Sequence, residues 1–170
     1  MMTIDPYFVW LAGFAGLMIA AAIIDFRRLI IPNPLIGGLC ILWVLELETT
    51  SRATPAATLA AIGCAAAVFL VGAVPFSRGL IGGGDVKLLA AATLWAGADA
   101  LPPLLLLTAL IGGLLALVLL TPLGARFAAS HGDGGPEPAG GGLAARRTPV
   151  PYGVAIAAAA LVVTIAPQFG

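Results

Sequence analysis

The sequence predicts an all-α membrane protein, a polytopic bundle of six transmembrane helices. Three observations predict it. Hydrophobic residues make up 61% of the 170 positions and charged residues only 9%, and the apolar residues gather into six runs divided by short polar or glycine-rich breaks. Soluble domains carry about 25% charged residues. A chain this poor in charge cannot clothe a water-facing surface, so lipid is its solvent. The length suits one domain, and 1–170 reads as a single membrane-embedded unit.

A spanning helix needs about 20 apolar residues. The runs at 7–24, 34–47, 53–75, 86–98, 100–123 and 151–169 are the candidates. The first carries no charge, has Asp5 rather than a basic residue before it, and is followed by Asp25-Phe26-Arg27-Arg28. That is a poor signal-peptide cleavage site, so a retained helix is expected. The second run is short, with Glu46 near its end, and the third is long. The fourth, at about 1.5 Å per residue, reaches only about 20 Å. Pro102 and Pro103 suit the first turn of the fifth helix, where a missing N–H costs little. Between the last two runs, 124–150 holds His131-Gly132-Asp133-Gly134-Gly135-Pro136-Glu137-Pro138 and Gly140-Gly141-Gly142. Such composition cannot bury enough apolar surface to order itself, so a flexible cytoplasmic linker is expected. A substrate-gripping loop is the other reading.

The formal net charge is zero, so nothing points to a nucleic-acid partner. The distribution of charge is asymmetric, however. If the segment after the first helix faces the cytoplasm, Arg27, Arg28, Arg78, Lys87, Arg126, Arg146 and Arg147 all lie inside, against Arg52 alone outside. This follows the positive-inside rule and puts both termini outside. No metal or cofactor is expected: Cys40 and Cys64 form no C-x-x-C pair, and a single histidine leaves no H-E-x-x-H motif.

Acidic residues at bilayer depth are functional hypotheses by default. Asp25 closes the first apolar run and Asp85 opens the fourth, both on the cytoplasmic side of this topology. A plain interfacial reading pairs Asp25 with Arg28 and makes Asp85 a helix cap. Against it stands Gly82-Gly83-Gly84 before Asp85, where bare backbone permits close approach and positive φ. The truncated fourth helix also points to a start below the membrane surface, and irregular backbone there needs a cavity or protein cover. Two carboxylates facing such a cavity suit general acid–base catalysis through a shared water. Asp85, ahead of a helix and near Lys87, is expected as the base. Asp25, at a helix C-terminus, is expected as the proton carrier, unless Arg28 reverses that assignment.

These residues resemble the type IV prepilin peptidases. Gly82-Gly83-Gly84-Asp85-Val86-Lys87 is similar to the family's G-x-G-D-x-K signature, and Asp25-Phe26-Arg27-Arg28-Leu29-Ile30-Ile31-Pro32-Asn33 to its first-aspartate segment. Pro151-Tyr152-Gly153-Val154-Ala155-Ile156 resembles the opening of its last helix. The resemblance implies a G-x-G-D intramembrane aspartyl protease in the bacterial inner membrane. Its substrate would be a pilin-like precursor, cut after a short basic leader at the cytoplasmic face, with Asp25 and Asp85 catalytic. Gly82, Gly84 and Lys87 would support the active-site loop. Arg27, Pro32, Asn33 and Gly153 would be substrate contacts or structural positions. Nothing matches the cysteine-bearing methyltransferase region of long members, because Tyr7 already starts the first helix. The chain looks like the short, cleavage-only form of tad/Flp pilus systems.

Two other classes compete. Presenilin-type proteases share G-x-G-D but place Tyr-Asp in the first motif, where this chain has Ile24-Asp25. A non-enzymatic transporter or assembly subunit would use the two aspartates as a proton or cation relay.

Overall fold

The computed structural model describes residues 6–50, 54–121 and 150–165. Among these there are six helices: α1 (Pro6–Arg28), α2 (Asn33–Thr50), α3 (Pro55–Ser77), α4 (Gly83–Ala96), α5 (Leu101–Leu119) and α6 (Tyr152–Ile165). The expected linker at 124–150 lies outside the described residues except for Val150. So do Arg52, Arg126, Arg146 and Arg147, on which much of the charge asymmetry rests.

All six expected helices are present, with shifted ends. α1 continues past the apolar run through Arg28, because polar residues keep making i→i−4 bonds after the hydropathy has fallen. It stops at Leu29, whose φ of 53° is left-handed and whose N–H donates to Asp25 O at 2.8 Å. α3 carries the capping signature of its sequence: the Thr54 side chain accepts from Ala57 N at 3.2 Å, and Pro55 follows it. α4 begins at Gly83, three residues before its apolar run. α5 ends at Leu119, short of the expected 123, where Pro122 disfavours a helical Thr121.

α1, α3 and α5 are long and apolar enough to cross a membrane, and α6 is apolar but shorter. The short helices occupy the middle. α4 packs against α2, α3, α5 and α6, and α6 packs against α1, α4 and α5. Small residues make this possible: Ala91 and Ala92 of α4 and Ala155, Ala157, Ala159 and Ala160 of α6 are all buried. The core is closed by Phe14 and Met18 of α1, Leu39 of α2, Leu88 of α4 and Leu104 of α5. Outside it, α3 and α5 present exposed Leu59, Leu70, Val71, Leu106, Leu114 and Leu117. Such a surface suits hydrocarbon rather than water. Trp95 ties three helices, stacking on Phe14 at 4.6 Å between ring centroids and donating Nε1–H to Leu39 O at 3.1 Å. It is a packed aromatic with a satisfied polar handle.

Candidate active site

Because consecutive helices alternate in direction, one end of the bundle collects the end of α1, the start of α2, the end of α3 and the starts of α4 and α6. Asp25 lies in the last turn of α1 and Asp85 in the first turn of α4. The two are close enough to interact electrostatically. Asn33 opens α2 and Gly153 opens α6 at the same end.

Asp25 is buried, with 4% of its surface exposed, while Arg27 and Arg28 beside it are exposed. Its carboxylate turns inward, where Oδ2 accepts from Gly153 N at 2.7 Å and the Val154 backbone also hydrogen-bonds it. The Gly153 N–H lies in the first turn of α6, where backbone donors lack an intrahelical partner, and the carboxylate satisfies it. A Cβ on Gly153 would lie 2.8 Å from Asp25 Oδ2 and 2.9 Å from both Asp25 Cγ and Ile31 Cδ1. Gly153 is therefore a seat for the acid as well as a packing position between helices.

Asp85 sits three residues after the N-cap Gly82, which has extended φ and ψ of −69° and 139° and no side chain to cap with. The carboxylate folds back to the Gly82 backbone, the acidic half of a capping box. The triple glycine supplies room and not unusual torsions, since the left-handed glycines are Gly79 and Gly97. At Gly84 a Cβ would stand 3.0 Å from Ile31 Cβ. Buried Ile31 thus wedges against both Gly84 and Gly153, joining the surroundings of the two acids.

Both carboxylates consequently meet helix N-termini. The contrast expected from sequence, with Asp85 alone at a positive helix end, is absent, because α6 brings Asp25 one as well. Lys87 also departs from expectation. Residues two apart on a helix face different ways, and Lys87 Nζ donates instead to Asn33 Oδ1 at 3.0 Å on the exposed side. That bond ties the start of α2 to the start of α4. Pro32 holds the turn by accepting from Leu35 N at 3.1 Å.

Beside Asp85 opens a cavity of about 210 Å³ between α3, α4, α5 and α6. Its walls are apolar apart from Asp85, Thr108 and Tyr152. Tyr152 neighbours Gly153, so the cavity runs past the segment that holds Asp25. Three contributors had no role assigned from sequence: Ile31 and Tyr152, which lie inside the family-like segments, and Thr108. The signal for Thr108 was available, as the lone hydroxyl in the otherwise apolar Leu101–Leu119.

Neither a curated protein nor a solved structure matches the chain. A profile of the type IV leader peptidase family matches residues 12–117, a stretch that holds most of α1, all of α2 to α4, most of α5, and both aspartates. With more than half of its length so matched, the chain belongs to the type IV leader peptidase family.

Proposed function

We propose that this protein is a membrane aspartyl endopeptidase that removes the short basic leader of pilin-like precursors, with Asp25 and Asp85 as its catalytic pair. One observation carries the reading: two acids 60 residues apart in sequence meet at one end of the bundle. Each meets the N-terminus of a helix beside a glycine whose Cβ would crowd the carboxylate. Peptide hydrolysis asks for one ionised carboxylate to take a proton from water and one protonated carboxyl to polarise the scissile carbonyl. Such a pair titrates as a unit, so the roles belong to the pair. Gly82 and Gly84 keep the start of α4 bare, Lys87 and Asn33 brace it from the exposed side, and Arg27 anchors the end of α1 at the headgroups.

All six helices cross the inner membrane in this reading, with the termini outside and the catalytic end at the cytoplasmic face. The short α4 and α6 are accommodated because taller neighbours surround them. A pilin-like substrate of the tad/Flp kind fits a family whose members process leaders.

The test is co-expression with pilin-like precursors from the same genome, scoring leader loss by gel mobility. Asp25→Asn and Asp85→Asn should each insert and fold normally yet lose processing by at least about 10³-fold, the scale of removing an essential acid or base. Normal processing by either variant would instead support a proton- or cation-relaying membrane subunit.

A further inference from the structure

The cavity beside Asp85 contains a buried hydroxyl that the proposed chemistry does not use. Thr108 Oγ1 is buried and has no hydrogen-bond partner among the described residues. A threonine in a helix ordinarily returns its hydroxyl to the carbonyl three or four residues back. Thr93 does so, donating to Leu89 O at 2.9 Å, and Thr50 does so to Glu46 O at 2.8 Å. Thr108 instead lines the same cavity as Asp85, among Val68 of α3, Leu89 of α4, Leu105 of α5 and Ile156 of α6. A buried hydroxyl without a partner carries a desolvation cost, so it calls for an explanation.

Peptide substrate chemistry supplies one. For water to attack a peptide carbonyl, the chain around that bond must be extended and not helical, which strips its N–H and C=O groups of internal partners. Within apolar walls each unpaired group is costly. Apolar side chains flanking the bond would be welcome in this cavity, whereas the backbone carrying them would need a polar contact. A hydroxyl can donate to a carbonyl or accept from an N–H.

We infer that the cavity receives the apolar stretch adjoining the scissile bond of the substrate, and that the Thr108 hydroxyl hydrogen-bonds the backbone of that stretch. This rests on the peptidase reading of Asp25 and Asp85. Thr108 is a substrate-binding residue here; it moves no proton in the reaction. The contact forms on binding and persists through the transition state, so its loss belongs in KM with kcat little changed.

The test uses the full chain in detergent micelles and the precursor that the unaltered protein cleaves. Thr108→Val keeps the shape and deletes the hydroxyl, Thr108→Ala leaves space, and Thr108→Ser keeps the hydroxyl on a smaller side chain. Valine and alanine variants should each raise KM about 10-fold with kcat within about twofold, the scale of one buried hydrogen bond. Serine should restore KM to within about threefold. Loss in the valine variant alone would indicate obstruction and overturn the inference. So would unchanged KM in both valine and alanine variants while Asp85→Asn stays inactive, which leaves the peptidase reading standing. If Asp85→Asn itself cleaves normally, the peptidase reading fails first and this inference with it.

Discussion

Gly153→Ala is the sharpest single perturbation of the site. The added methyl would stand 2.8 Å from Asp25 Oδ2, 2.9 Å from Asp25 Cγ and 2.9 Å from Ile31 Cδ1. Non-bonded carbons settle at about 3.5–4.0 Å, so the carboxylate must retreat by roughly 0.6 Å or more. Ile31 cannot yield easily, because it is buried and already lies against Gly84. Retreat stretches the 2.7 Å bond from Gly153 N. A hydrogen bond to a charged group is worth about 1.5–3 kcal/mol, and displacing a reacting group by about 1 Å can cost about 10²-fold in rate. The expected result is a fall of about 10²-fold in kcat/KM for leader removal, followed by gel mobility in micelles, with helical content unchanged by circular dichroism. Gly113→Ala is the control, since nothing lies within 4 Å of a methyl there, and it should process normally. A Gly153→Ala protein cleaving within about threefold of the parent would refute the claim that this glycine seats Asp25.

Two further outcomes concern the supports of α4. The exposed Lys87–Asn33 bond should contribute less than about 1 kcal/mol, so a double-mutant cycle of Lys87→Met and Asn33→Ala on thermal unfolding should show small coupling, with processing within about threefold of the parent. A loss beyond 10-fold in Asn33→Ala at unchanged stability would instead make Asn33 a substrate contact. Gly72→Ala would drive a methyl to 2.7 Å from Val86 Cγ1, destabilising by about 1–3 kcal/mol. Val86→Ala in the same chain should recover at least half of that in Tm, and an unshifted Tm for Gly72→Ala alone would contradict the close packing of α3 on α4.

Much of the fold was legible because lipid imposes a simple rule: apolar runs of sufficient length become helices. Helix ends were less legible. Hydropathy reports where side chains tolerate hydrocarbon, whereas the backbone of α1 stays helical through Asp25 to Arg28. Likewise the glycines before Asp85 looked like a loop, yet Gly83 and Gly84 are the first turn of α4. Glycine is a weak helix former, but packing decides here: close contact with Phe76 and Ile31 leaves no space for larger residues.

By itself, then, the sequence revealed six helices, three of them long and apolar enough to cross a membrane, and singled out Asp25 and Asp85 as candidates, through composition, periodic breaks and acids placed where acids are costly. Only the tertiary structure decided what each acid touches. The partner of Asp25 is 128 residues away, at the start of α6. Lys87 reaches Asn33, in another helix, 54 residues back. The stray hydroxyl of Thr108 shares a cavity with Asp85. Local pattern cannot foresee such meetings, because helix packing sets them, through small buried residues that let α4 and α6 occupy the middle of the bundle.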